Sequence, residues 1–177
     1  SGSAYVYERQ TNGTWTQATK LVAKNGAKNG AAYDYFGYSV SISGDRLVVG
    51  AYGDDDKGSK SGSAYVYERQ TNGTWTQAAK LVAKDGAAGD SFGRSVSISG
   101  GRVIVGAPYD DGKWLNSGSA YVYERQTNGT WTQAAKLVAK DGAAGDSFGR
   151  SVSISGGRVI VGAPYDDGKW LNSGSAY

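Results

Sequence analysis

The chain has 177 residues and a formal net charge of +3, and its 28 Gly, 13 Tyr and 5 Trp against 2 Pro favour many short strands and tight turns over helices. It contains no Cys, Met or His, which removes thiol nucleophiles, disulfides, imidazole bases and the usual zinc or copper ligands. Lys and Arg are interspersed with Asp and Glu, which argues against nucleic-acid binding, and no apolar window of about 18 residues is available for membrane insertion.

Internal repetition sets the organisation. SGSAYVYERQTNGTW begins at Ser1, Ser61 and Ser117, and SGSAY begins again at Ser173. The single array therefore divides into a divergent first repeat, 1–60, a second, 61–116, a third identical to it, 117–172, and the start of a further one, 173–177. Identity at every position points to recent amplification of one unit or to a gene built from copies of it.

Each repeat reads as four strands, taken here from the second. Ala64–Arg69 sets Tyr65 and Tyr67 on one face and Val66 on the other, and Asn72-Gly73 turns the chain into Thr74–Ala83. Simple alternation along that arm puts Trp75, Leu81 and Ala83 on one side, although Ala79 and Lys80 would serve a helix equally. Ser95–Ser99 alternates strictly, with Val96 and Ile98 inward and serines outward. After Gly100-Gly101, Arg102–Ala107 is nearly continuous in apolar residues, as expected of a strand covered on both faces. Four antiparallel strands per repeat predict an all-β chain of β-propeller blades, which bury their faces against one another.

Phe92-Gly93, followed by Val105-Gly106-Ala107-Pro108, resembles the FG-GAP repeat of integrin-type propellers, and the wider unit resembles the bacterial FG-GAP branch more closely. The resemblance covers the whole chain. It implies that SFGRSVSISG is the innermost strand, GRVIVGAP the second, SGSAYVYERQ the third and TWTQAAKLVA the outermost. It also implies a blade-packing role for Phe36-Gly37, Phe92-Gly93 and Phe148-Gly149, with the Phe between neighbouring blades and the Gly allowing close backbone approach. Calcium-binding blades of that family carry alternating carboxylates between their first two strands. Here those turns hold only Gly44-Asp45, Gly100-Gly101 and Gly156-Gly157, so calcium binding is not carried over.

Three loop features are candidate sites. Asp54-Asp55-Asp56, with Asp110-Asp111 and Asp166-Asp167 at matching positions, reads either as a weak cation site or carboxylate pair, or as turn aspartates that keep a rim soluble. Trp114-Leu115 and Trp170-Leu171 interrupt polar loops, where they would contact protein, a sugar ring or a neighbouring blade, or fold back over their own blade edge. The first repeat lacks that pair and instead carries extra aromatic length at Tyr33 and Tyr35. Asn12, Asn72 and Asn128 match a glycosylation acceptor pattern, but Asn-Gly is also a preferred hairpin turn.

No catalytic constellation assembles, because Glu8, Glu68 and Glu124 occupy one strand position in successive blades. The sequence therefore points away from an enzyme and implies no cofactor or metal. It points to a binding, adhesion or structural-assembly module, extracellular or at the cell surface by the resemblance. Two alternatives stand beside it: an engineered or evolution-model propeller without a natural ligand, and a lectin-like propeller holding glycans. Three blades' worth of strands falls short of the roughly four to eight that close a ring. Self-association is expected, as a six-bladed homodimer in which the 1–23 hairpin completes a partner's blade, or as a filament; the repeat of Ser1–Tyr5 at Ser173–Tyr177 equally fits a segment of a longer array.

Overall fold

The computed structural model describes residues 2–24, 32–167 and 172–177. Among them every regular element is a strand, and the named strands pair antiparallel in four sheets. A hairpin of β1 (Ala4–Arg9) and β2 (Trp15–Leu21) comes first. The first full blade orders β3 (Ser39–Ser43), β4 (Arg46–Ala51), β5 (Ser63–Arg69) and β6 (Trp75–Leu81) from one edge to the other. The second repeats this with β7 (Ser95–Ser99), β8 (Arg102–Ala107), β9 (Ser119–Arg125) and β10 (Trp131–Leu137). The third holds β11 (Ser151–Ser155), β12 (Arg158–Ala163) and the two-residue β13 (Ser175–Ala176). Each full blade thus takes two strands from one repeat and two from the next.

Local chemistry explains the turns. Asn72 Oδ1 accepts the Thr74 N–H at 3.0 Å and its hydroxyl at 2.7 Å, and Gly73 sits at φ +81°. The same bonds recur at Asn12 and Asn128, so the acceptor-pattern asparagines use their side-chain oxygens to close hairpins.

The core lies between sheets, not within one. Val103, Ile104 and Val105 of β8 are wholly buried. Val103 and Val105 pack toward the first blade with Val48, Val66 and Tyr121. Ile104 packs toward the third with Ile154 and Val161. Such burial contributes about 1.5–3 kcal/mol per side chain, which is why this strand is apolar on both faces.

Two features depart from simple alternation. β5 and β6 shift register between Val66 and Tyr67, so that Gln77 faces Tyr67 while Ala79 faces Val66, leaving Ala78 as the extra residue of a bulge. The bulge reverses the phase of β6. Trp75 therefore packs against the cluster on one side of the blade while Leu81 and Ala83 join the cluster on the other, and the expectation of one shared side is corrected.

The serines of the edge strands β3 and β7 form the second departure. Val96 and Ile98 are buried as expected. Ser41 and Ser43 accept the backbone N–H groups of Ile98 and Gly100 at 3.2 Å, and Ser97 and Ser99 do the same for Ile154 and Gly156 at 3.2 and 3.1 Å. They link one blade to the next instead of facing solvent.

Candidate functional site

The residues singled out by sequence gather in the loops that enter and leave the β7–β8 hairpin and its counterparts. Phe92 is fully buried, and its ring meets Tyr121 and Tyr123 edge-on at 5.5 and 6.0 Å. Its N–H donates to Ser61 O in the preceding blade at 3.1 Å. Phe36 stands in the same relation to Tyr65 and Tyr67, and Phe148 meets Tyr177 at 5.5 Å. Gly93 follows with φ +89°, its N–H donating to Gly106 O at 3.0 Å. A Cβ on Gly93 would overlap the carbonyl oxygen of Ser63, and one on Gly106 would overlap that of Gly149. Only glycine admits this approach of backbone to backbone. The geometry repeats at Gly37 and Gly149.

Residues 15–67, 75–123 and 131–177 match the model of the FG-GAP repeat. The chain belongs to the FG-GAP repeat family. No curated protein matches it.

In these FG-GAP repeats the first aspartate of each acidic run is buried, not displayed on a rim: Asp54 is 3% exposed and Asp110 4%. Asp110 accepts the Tyr121 hydroxyl at 2.9 Å, the Ser119 hydroxyl at 2.7 Å and the Gly112 N–H at 2.7 Å, and pairs with Lys136 at 3.0 Å. Asp54 likewise accepts the Tyr65 hydroxyl and Lys80, each at 3.0 Å, and Lys80 also pairs with Asp56. Burial alone would raise the Asp54 carboxyl, but Lys80, the Tyr65 hydroxyl and the Asp56 N–H outweigh it and hold it below the usual carboxylate range. These carboxylates are engaged in holding the third and outer strands to the loop.

A groove of about 450 Å³ lies beside Asp110, lined by Asp85, Asp90, Tyr109, Asp111, Leu115 and Lys136, among others. Lys136 reaches Asp85 at 2.6 Å, and this ammonium outweighs burial to depress the Asp85 carboxyl. Asp90 goes the other way: burial raises its carboxyl, although it accepts the Ala87 N–H at 2.7 Å. Leu115 lines this groove, and Trp114 and Leu115 are 57% and 67% exposed. Their loop is fixed through its backbone, because Leu115 O accepts Gly145 N–H at 3.0 Å and Asn116 O accepts Ser147 N–H at 3.3 Å. Trp170 and Leu171 lie outside the described residues.

The first repeat builds a different loop surface. Tyr33 is 74% exposed, and Tyr35 stacks on Tyr52 with ring centroids 4.9 Å apart. Arg94 is a residue that sequence reasoning missed. Its guanidinium lies 5.2 Å from the Tyr38 and Tyr52 ring centres and 5.8 Å from that of Tyr109, joining the first two blades by cation–π contact. The available signal was that Tyr38 occupies the position of Arg94 and Arg150 in the other repeats.

The glutamates fall into ion pairs. Glu68 takes Arg46 at 3.1 Å and Arg125 at 2.7 Å, while Glu8 pairs with Arg69 and Glu124 with Arg102.

At the turns where calcium-binding relatives carry carboxylates, Asp45 O and Gly101 O instead accept the N–H groups of Arg69 and Arg125 at 2.8 Å. Among the described residues no group of three or more acidic side chains is placed to hold a metal ion. Thermal melting in excess calcium and in chelator should therefore give the same midpoint. A rise of several degrees with calcium would reveal a native-state cation site.

Proposed function

We propose that the chain is a non-catalytic propeller module that binds protein partners, or builds structure, outside the cell, and that the Trp114-Leu115 loop beside the Asp85–Lys136 groove is its contact surface. The observation that carries this is the division of labour in the loop. Asp54 and Asp110 are committed to tyrosine, serine and lysine partners within the blade, while a Trp and a Leu stand exposed on a backbone anchored to the next blade. A preordered apolar pair at a polar rim is the form of a protein contact. FG-GAP repeats are typical of extracellular and surface proteins and generally non-catalytic, which supports the same reading.

The exposed indole also suits stacking on a sugar ring, which keeps the lectin-like alternative in view. Purified extracellular-matrix proteins and a glycan array, probed with wild type and with Trp114→Ser/Trp170→Ser, separate the two. The expected result is protein binding that falls at least about tenfold in the variant, with an unchanged circular dichroism spectrum. Binding confined to one glycan class would favour the lectin, and no binding on either surface would overturn both.

A further inference from the structure

We infer that the unfilled edge of β12 and the open face of the β1–β2 hairpin are two halves of one interface, and that a second copy of this chain joins them. The inference deepens the assembly side of the function proposed above, and rests on it, by naming the partner. The two complete blades supply the template, since β4 with β5 and β8 with β9 show what β12 with a partner's β1 would form.

Backbone pairing is the first term. β8 pairs with β9 over six positions, from Arg102↔Glu124 to Ala107↔Ser119. On the edge away from β11, β12 has only Gly162↔Ala176 and Ala163↔Ser175 within its own chain, continued by reciprocal bonds of 2.9 Å between Val161 and Tyr177. A partner's β1 in the template register would pair Arg158 with Glu8 and carry the ladder on to Ala4, displacing β13. Tyr177 now occupies the place that Tyr5 would take, with its ring against Phe148 and its hydroxyl on Asp166 at 2.7 Å.

The apolar faces match next. Tyr65, Tyr67, Tyr121 and Tyr123 are all 3% exposed or less, whereas their counterparts Tyr5 and Tyr7 are 50% and 53% exposed. The Tyr67 and Tyr123 hydroxyls donate to Val22 O and Val82 O at 2.8 and 2.7 Å. The equivalent acceptor for Tyr7 is the partner's Val138. Behind the hairpin, a groove of about 570 Å³ is lined by Tyr5, Tyr7, Val40, Ile42 and Leu47, among others. Val40 and Ile42 are 61% and 59% exposed, where Val96 and Ile98 are 8% and 5%. The partner's β11 and β12 would fill that groove, and its Ile160, 54% exposed, would take the role of the fully buried Ile104.

Charge fixes the register. Glu68, inside the array, holds two arginines, Arg46 and Arg125. Glu8 and Glu124 each hold one, Arg69 and Arg102. By the template the missing partner of Glu8 is Arg158 of the second copy, and that of Glu124 is Arg9. No ion pair engages Arg9 or Arg158 among the described residues.

Two measurements test this on the full chain. Light scattering after size exclusion should give a mass of about 37 kDa, twice the chain's 18.5 kDa, or a larger multiple if the exchange runs on as a filament. Because the chain has no cysteine, Glu8→Cys and Arg158→Cys can be introduced cleanly. Mixed and oxidised, the two single variants should form a covalent dimer that neither forms alone. A folded wild-type monomer would overturn the inference, as would an assembly in which the mixed variants do not cross-link. A monomer that still bound protein through Trp114 would leave the proposed function standing, which separates the two failures.

Discussion

Gly106→Ala should lower stability by on the order of 3 kcal/mol, read as a fall in the denaturant midpoint at unchanged m-value. Gly106 has an ordinary backbone conformation, so its cost is steric alone. The new Cβ would overlap the Gly149 carbonyl and the Ser95 hydroxyl, which bond to each other at 2.8 Å across the second and third blades. The obstacle is backbone and cannot rotate aside. The blades must separate, and Ile104, Phe148 and Val161 lose packing. Gly93→Ala adds a φ of +89° to a similar overlap and should cost at least as much. Gly157→Ala meets nothing within 4 Å and serves as the neutral control. A Gly106→Ala protein within about 1 kcal/mol of wild type would show that the blades are not in backbone contact there.

Raising the pH through about 10 to 12 should unfold the protein much more readily than lowering it by a similar span. Burial raises the phenols of Tyr65, Tyr67, Tyr121 and Tyr123, and the charges of Asp54, Asp110 and Asp85 add to it at Tyr65, Tyr121 and Tyr123. In the unfolded chain these phenols ionise near 10. The unfolded state therefore releases protons that the folded state keeps, and stability present below about pH 10 is lost as the pH rises above it. Lys136 has the same sign: burial opposes its charge, but Asp85 and Asp110 raise it above the ordinary lysine value. On the acid side, Asp54, Glu68 and Asp85 are depressed, so their contribution is present above about pH 4 and fades below it, while the raised Asp90 works against the trend. Denaturant midpoints measured against pH should show the alkaline fall. Tyr67→Phe/Tyr123→Phe should lose hydrogen bonds at neutral pH yet show a shallower alkaline slope, and a flat profile above pH 10 would contradict the burial argument.

The blades were legible in the sequence because period-2 alternation and Asn-Gly turns report directly on half-buried hairpins. Ser95–Ser99 and Arg102–Ala107 emerge with the expected bounds. The face of Trp75 was not legible, since a bulge at Ala78 leaves no trace in composition and yet inverts every residue before it. Nor was the burial of Asp54 and Asp110. An aspartate in a turn-rich run looks solvated until Tyr65 or Tyr121, 11 residues away in sequence, brings its hydroxyl to it. Arg94 was hidden for the same reason, because its three aromatic neighbours come from separate loops.

The identity of residues 61–83 and 117–139 leaves the inner strand pairs facing two interchangeable candidates during folding. β4 can recruit β9–β10 in place of β5–β6 with every cross-strand partner the same, from Arg46 against glutamate to Ala51 against serine. Chemistry offers no discrimination between the two; only the connecting segment does. Making it roughly sixfold longer costs about 1.6 kcal/mol of closure entropy, little more than a tenfold bias toward the right neighbour. A fraction of chains should therefore loop out a whole blade on first collapse and refold slowly, so that the sameness that makes every interface good also makes the order of assembly poorly encoded.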